Sequence, residues 1–336
     1  MSRADNIFIC NATRLIHSGR FTKATRAKWT DGTPANTYKV FGVVNSYDLR
    51  DEFPAITLRK TNIKGAFDEL LWIYQKKSNN VKDLKTHIWD QWADPEGSIG
   101  EAYGAQVRKR HVVDEYTEIL DFDEKIPDYT FPDDKEIKEK YHYDAGKVIK
   151  NVNISSEKDI NGKRKLVRVV DYRLMMDQID AVIYQLTHDP FSRRILIDLW
   201  NFNEIHLMSL TPCCWSCNFN VTDDGGDKLV LNMVLNQRSG DFLTANNWNV
   251  VQYALLMKML AQVCDMEAGV LLHIITDLHV YDRHLDIVKE LITRKQHLAP
   301  TVELNPEIKD FYQFTVNDLT VKNYCAGNPV KFEVAI

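Results

Sequence analysis

Between Leu271 and Tyr281 apolar and polar positions alternate along the chain. Leu272, Ile274, Thr276 (through its methyl), Leu278 and Val280 fall on even positions, and His273, Asp277, His279 and Tyr281 on odd ones. A period of two belongs to a strand, so the segment predicts one core face and one face carrying chemistry. The run 249–264 has no such period. Val250, Val251, Ala254, Leu255, Leu256, Met259, Leu260 and Val263 leave it without a polar face, which predicts a helix buried at the centre of the molecule. Phe67, Leu70, Leu71 and Tyr74 recur at three- and four-residue spacing and predict a helix over 63–76. Leu174, Met175, Ile179, Val182, Ile183 and Leu186 predict another over about 172–187, ended by Asp189-Pro190.

Two paired strands are expected within 38–58, around a turn near Asp51, and a buried strand at 195–200. The stretch 214–237 reads as a hairpin. Trp215, Cys217, Phe219 and Val221 alternate with Cys214, Ser216, Asn218 and Asn220, and Asp223-Asp224-Gly225-Gly226 makes the turn before a return arm over Leu229 to Gln237. That parity puts Cys213 and Cys217 on one face and Cys214 on the other. Strands mixed with separated helices, without regular βαβ alternation, predict the α+β class. The expected architecture is a single domain over residues 1–336, with a large, mostly antiparallel or mixed sheet, flanking helices and a central buried helix. The segment 121–165 is dense in Asp, Glu and Lys and reads as a surface insertion, partly irregular.

Composition narrows the class of function. The 336 residues are 44% hydrophobic and 26% charged, a globular profile with a substantial core. Lys and Arg total 42 against 47 Asp and Glu, a formal charge of −5. This balance argues against general nucleic-acid binding and leaves room for a local basic pocket gripping one phosphate. No run approaches the roughly 20 apolar residues of a membrane span, and the first residues do not form a signal peptide. Of the six cysteines, Cys213, Cys214 and Cys217 crowd together and the others are scattered, which is no disulfide framework and points to a reducing, cytoplasmic setting.

Several clusters carry candidate chemistry. The strand parity keeps three thiols from converging on one zinc ion, so the cysteine cluster holds buried thiols or one catalytic thiol, and parity alone does not choose Cys213 over Cys214. Gln237-Arg238-Ser239-Gly240-Asp241 places a cation, a hydroxyl and a carboxylate within five residues, as a turn or as a phosphate grip. Arg193 and Arg194 follow a helix end, as a solvated face or a second grip. Asp277, His279 and Tyr281 share a strand face, where they orient a polar ligand or satisfy one another. Asn249, expected at the start of the central helix, is either its N-cap or a donor–acceptor pair for a ligand.

In order along the chain stand Glu69-Leu70-Leu71-Trp72, Ile88-Trp89-Asp90-Gln91-Trp92, Tyr103-Gly104 and Asp189-Pro190-Phe191-Ser192-Arg193-Arg194. They are followed by Thr211-Pro212-Cys213, Gln237-Arg238-Ser239-Gly240-Asp241, Asp277-Leu278-His279-Val280-Tyr281 and the terminal Val334-Ala335-Ile336. This set resembles the folate-dependent thymidylate synthases, from about Arg26 to the C-terminus with an interruption at 121–165. The resemblance implies reductive methylation of dUMP to dTMP, with methylenetetrahydrofolate as carbon donor and reductant, dihydrofolate as co-product and no metal. It implies Cys213 as the nucleophile, with a thiol pKa that must fall and Arg238 supplying the positive field. It implies Glu69 for the water network of proton transfer and Tyr103 near the carbon 5 proton. The phosphate falls to Arg26 and Arg238, with Arg193 and Arg194 from the other subunit of a homodimer. Asn249 reads the uracil edge, His279 and Tyr281 the deoxyribose, while Gln237, Ser239 and Asp241 line the pocket. Lys60, Trp89, Asp241 and the carboxylate of Ile336 fall on the folate side. The sequence departs from the family where Cys214 replaces a common His, where Phe242 to Trp248 replaces a glycine and a Pro-Phe, and where Thr276 replaces a common glycine. The loop Lys28 to Thr33 is longer than in short members. A pyrimidine hydroxymethylase of the same superfamily is the alternative outcome, and an RNA-binding regulator on this fold a less favoured one, given the charge.

Overall fold

The computed structural model describes residues 2–121, 146–158, 161–162 and 164–335. Helix α1 (Arg3–Ser18) starts on Ser2, whose hydroxyl accepts from Asp5 N at 3.4 Å. It is followed by β1 (Arg20–Thr22), β2 (Thr37–Asp48), α2 (Ile63–Leu70) and the single turn α3 (Gly104–Val107). Then come β3 (His111–Asp121), β4 (Gly146–Lys158), β5 (Arg164–Met176), α4 (Gln178–His188), β6 (Leu196–Asp198), β7 (Cys214–Thr222) and β8 (Val230–Asp241). The chain finishes with α5 (Asn246–Val263), β9 (Glu267–Tyr281), α6 (Leu285–Leu291), β10 (Thr301–Leu304) and β11 (Leu319–Lys322).

Six strands form one sheet in the order β1-β2-β9-β8-β7-β6. The β8–β9 pair is parallel and the others are antiparallel, so the sheet is mixed, in an α+β arrangement. As its uniform hydrophobicity predicts, α5 is the central helix. Leu255, Leu256, Met257 and Met259 have no exposed surface, and the helix packs on β8, β9 and α2. Burying side chains of this size contributes about 1.5–3 kcal/mol each. α2 runs into a π-helical turn, Leu71–Gln75, which fills the expected 63–76 helix.

Three expected elements come out differently. The second strand of the 38–58 pair does not form. Pro54 lacks the N–H a ladder needs, β2 takes β9 as its partner, and residues 53–58 run as a loop tied to buried side chains. Asp5 accepts from Thr57 N at 2.7 Å, and Asn247 Oδ1 accepts from Ile56 N at 3.3 Å. The helix expected over 172–187 begins only at Gln178, where Asp177 caps it by accepting from Ile179 N and Asp180 N. Leu174 and Met175 lie instead in β5, where burial of Val170, Tyr172, Leu174 and Met176 follows a period of two. The flanks of the expected 121–165 insertion are regular, since β3, β5 and β4 form an antiparallel sheet in that order. Residues 122–145 of that segment lie outside the described residues.

The six-stranded sheet also bends, and the bend overturns the simple parities. On β9 the inward residues are Leu271, His273 and Ile275, then Leu278 and Val280. Leu272 and Ile274 are therefore not on the core face, and Thr276 is exposed. β2 slips in the same way, from Tyr47, Asn45 and Val43 to Val40, and β8 from Leu231, Met233, Leu235 and Gln237 to Gly240. On β7 a register shift between Cys214 and Ser216 turns Cys214 inward with Cys217 and Phe219, correcting the expected opposition of Cys214 and Cys217. The slips align, because Phe41 and Ser239 both pair with Asp277 and Cys214 pairs with Gln237. One bend therefore crosses four strands, and β8 continues through it to carry Arg238 to Asp241 on a strand rather than in a turn.

Gly42 takes φ +67° at the bend. A Cβ there would meet nothing within 4 Å, so the requirement is conformational rather than spatial. Gly42→Ala is expected to lower unfolding free energy by about 1–2 kcal/mol, read from the denaturant midpoint, with Gly42→Asn costing less.

Candidate active site

Pro212 and Cys213 sit at the start of β7, beside Arg238 at the bend of β8. Arg238 closes on this turn with backbone and side chain. Its N–H donates to Cys213 O at 2.9 Å, its Nε to Pro212 O at 3.0 Å, and its Nη2 to Thr211 O at 2.8 Å and Thr211 Oγ1 at 2.6 Å. The same Nη2 lies 3.9 Å from Cys213 Sγ, and the guanidinium lies 5.8 Å from the Trp200 ring centroid. From the other side Tyr103 Oη accepts from Cys213 N at 3.3 Å. Tyr103 holds φ +49°, a strained backbone for a residue with a side chain, at the point where it meets the nucleophile turn.

Cys213 is half-buried while Cys214 and Cys217 are fully enclosed. Burial pushes all three thiols up, Cys214 well above the ordinary range. Only Cys213 has cations opposing that rise, Arg238 first and Arg26 second, against a further upward push from Asp241. The structure thus separates Cys213 from Cys214, which parity did not. It also corrects one expectation: in the free protein burial outweighs the arginines, and the Cys213 thiol is raised rather than lowered.

Glu69, at the last turn of α2, is buried and enclosed by donors. Trp89 Nε1 donates to Oε1 at 2.5 Å, Gln252 Nε2 to Oε2 at 3.1 Å, and Trp248 Nε1 also to Oε2. Burial raises the Glu69 pKa, and the three donors oppose the rise, Trp248 foremost. Trp89 lies against Tyr103 with ring centroids 4.9 Å apart, so contacts run from the Glu69 carboxylate through Trp89 and Tyr103 to the backbone of Cys213. Burial lifts the Tyr103 hydroxyl well above the usual tyrosine range, with the nearby Cys213 adding to the rise, and keeps it a neutral donor and acceptor.

The strand-face residues also gather here. His279 Nδ1 bonds Asp277 Oδ1 at 2.9 Å, and Lys39 Nζ bonds Asp277 Oδ2 at 2.8 Å. Tyr281 meets the rings of His279, Trp29 and His284, and burial pushes it up to about 12, with Asp241 and Cys213 adding to the rise. Asp241 caps its own turn by accepting from Leu243 N and Thr244 N, both at 3.1 Å. Gln237 is committed inward, donating to Ser239 O at 2.8 Å and accepting from His273 Nε2 at 2.7 Å, while burial takes the His273 pKa down to about 3. It supports the Arg238–Ser239 backbone from behind. Asn249 is not an N-cap. It lies in the first turn of α5, its N–H donating to Ala245 O at 2.8 Å, and its side-chain amide has no hydrogen-bond partner among the described residues.

Arg26, Arg193 and Arg194 are exposed and bond no carboxylate among the described residues. Arg26 acts on both Cys213 and Tyr281. Arg193 and Arg194 lie in the α4–β6 loop, and Arg194 lines a cleft of about 460 Å³ with Gln106, Lys109, Gln178, Trp200 and Asn201. Lys60 is exposed, and its N–H donates to Gly327 O at 2.9 Å, beneath the C-terminal segment. That segment is docked through Glu333, which accepts from Thr30 N at 2.7 Å, Thr30 Oγ1 at 2.5 Å and Arg283 Nη1 at 3.0 Å. Ile336 lies outside the described residues. Trp248, Gln252, Trp200 and Thr211 are site residues that the sequence reading missed. Trp248 and Gln252 had a signal, as two polar-tipped side chains four apart near the start of the central helix.

Among the described residues no group of three or more His, Cys, Asp or Glu side chains is arranged to hold a metal ion. No helix there is long and apolar enough to cross a membrane. A thiol beside a guanidinium, a caged carboxylate and a strained tyrosine in one place are a set able to support nucleophilic addition.

The family model described as thymidylate synthase matches residues 8–336. A thymidylate synthase of Bacillus mojavensis is 36% identical over 315 residues, covering 93% of this chain and 90% of the relative. That of Bacillus licheniformis is 32% identical over the full length of both. The solved structure of thermostable thymidylate synthase A from Bacillus subtilis superposes with a TM-score of 0.75 at 33% identity, covering 99% of each chain. The chain belongs to the thymidylate synthase family and is a methyltransferase.

Proposed function

We propose that Cys213 carries the reaction of this enzyme, the reductive methylation of dUMP to dTMP. The observation that carries the proposal is the Cys213 Sγ–Arg238 Nη2 approach of 3.9 Å, on a turn that the same arginine holds by three further side-chain hydrogen bonds. Cys213 Sγ bonds carbon 6 of uracil, which loads electron density onto carbon 5. Carbon 5 bonds the methylene of methylenetetrahydrofolate and loses its proton, tetrahydrofolate is eliminated, and its hydride then adds to the exocyclic methylene as Cys213 Sγ leaves carbon 6, giving dTMP and dihydrofolate. Arg238 and Arg26 grip the phosphate, and Ser239 presents its hydroxyl beside them. Asn249, with an uncommitted amide, accepts from the uracil N–H and donates to the adjacent carbonyl. His279 and Tyr281 hold the deoxyribose hydroxyl. Glu69 holds the water network that takes up the carbon 5 proton, and Tyr103 lies beside that proton.

The folate side is built from Trp89 with Trp92 beside it at 5.5 Å, from Asp241 and Lys60, and from the C-terminal segment ending at Ile336. An aromatic wall with a carboxylate and a cation fits a flat, polar ring carrying an acidic tail. No observation favours a hydroxymethylase outcome.

The working unit is a homodimer in the cytoplasm, each chain one catalytic domain over 1–336 with an insertion at about 121–165. Arg193 and Arg194 act on the phosphate of the other protomer. Their guanidinium groups bond no carboxylate among the described residues, which supports this reading, as do Val44 and Leu196, 60% and 44% exposed on the face of the sheet away from α5.

The test is turnover of dUMP with methylenetetrahydrofolate, followed as dihydrofolate absorbance. Cys213→Ser is expected to lose at least about a thousandfold, since a hydroxyl is far less ionised than a thiol, while Cys217→Ser keeps measurable turnover. Activity retained in Cys213→Ser removes the proposal. For the shared site, mixing an Arg194→Ala chain with a Cys213→Ala chain should restore activity in hybrid dimers. No recovery, once subunit exchange is demonstrated, counts against it.

A further inference from the structure

Glu69 is buried, and its three partners are unequal. Oε1 accepts one bond, from Trp89, whereas Oε2 accepts two, from Trp248 and Gln252. An indole N–H and an amide NH2 can only donate, so both in-plane acceptor positions of Oε2 are occupied. A proton joining the carboxylate on Oε2 would displace one of these donors. Oε1 keeps a free acceptor position, and its donor Trp89 packs on Tyr103, which in turn bonds the Cys213 backbone.

We propose that Trp248 is a positioning residue for the reaction. Its indole N–H closes Oε2, so that Glu69 remains a carboxylate and exchanges protons through Oε1. The inference rests on the proton-transfer role given to Glu69 above. It extends that role to a residue in the 242–248 stretch, where this sequence departs from its family.

Other groups around Glu69 do not supply the same effect. Tyr103 and Cys214 are the titratable groups acting electrostatically with it, and burial keeps both neutral. α5 faces it with Trp248 and Gln252, which do not titrate. The neighbouring Asp68 Oδ2 accepts from Lys85 N at 3.0 Å. Asp318, on the short helical turn packed against α2, is bonded to Thr315 and Asn305. With no cation among these partners, the donors alone oppose the burial that raises Glu69.

Two measurements test the proposal. Trp248→Phe keeps a ring and removes the donor. The acidic limb of its kcat profile should move up by about one to two pH units, the worth of a hydrogen bond to a charged acceptor, with kcat returning to within about threefold of wild type at high pH. A limb that does not move, with activity reduced equally at every pH or only the folate KM raised, overturns the proposal. In the unsubstituted protein without ligands, the indole ¹⁵N–¹H resonance of Trp248 should titrate with a single midpoint and stop doing so in Glu69→Gln. A Trp248 resonance insensitive to pH and to Glu69→Gln also overturns it, whether or not Trp248→Phe folds. If the acidic limb persists in Glu69→Gln, the role of Glu69 itself fails and the inference falls with it. If the limb vanishes there yet stays fixed in Trp248→Phe, only the inference fails.

Discussion

The site depends on the grip of Arg238 on the turn Thr211-Pro212-Cys213. One side chain satisfies two backbone carbonyls and a hydroxyl, and the charge that holds the turn is also the nearest cation to the thiol. Such contacts are charge-assisted and about twice as strong as neutral ones. The bend in the sheet makes the grip geometrically possible. On a straight β8, Gln237 and Ser239 would share the core face and Arg238 would point to the opposite side. The slip at the bend leaves Gln237 and Gly240 inward, with Arg238 half-buried between them against Cys213. Gly42 on β2 and the irregularity before Ser216 on β7 extend the same bend across the neighbouring strands.

Burial raises both reactive groups, and different partners oppose it at each. An enclosed carboxylate without partners costs several kcal/mol. At Glu69 three donors worth about 1.5–3 kcal/mol each oppose that cost, and burial still raises its pKa. Cys213 has fewer compensating partners, and its thiol is raised in the free protein. The arginines that would lower its pKa are the groups assigned to the substrate phosphate, which links thiol reactivity to the occupancy of the pocket.

Much of this was legible in the chain. The all-apolar run 249–264 announced the central helix, and Asp223-Asp224-Gly225-Gly226 the hairpin turn. The ordered motifs around Cys213, Arg238 and Glu69 led to the right family. The bend escaped detection because it depends on pairing between strands distant in sequence. The alternation read along 271–281 passes over Leu271 and Ile275, apolar residues at odd positions that face the core before the bend. Residues 172–176 read as the start of the neighbouring helix because Leu174 and Met175 suit either period, and only pairing with β3 and β4 decides between them. Trp248 and Gln252 went unassigned because their purpose is set by Glu69, nearly two hundred positions earlier in the chain.

The most direct test of the account is the pH dependence of Cys213 alkylation by iodoacetamide, followed by intact mass in the free enzyme, with Cys213→Ser marking the background. Only the thiolate reacts, and burial raises the folded pKa, so the wild-type rate should keep rising through the ordinary thiol range without an early plateau. Arg238→Met removes the nearest opposing charge and should move the profile to higher pH by about one unit, the lower end of the effect of an adjacent opposite charge. A wild-type plateau well below the ordinary thiol range, or an Arg238→Met profile that superimposes on the wild type, would contradict the claim that burial and Arg238 together set the reactivity of this cysteine.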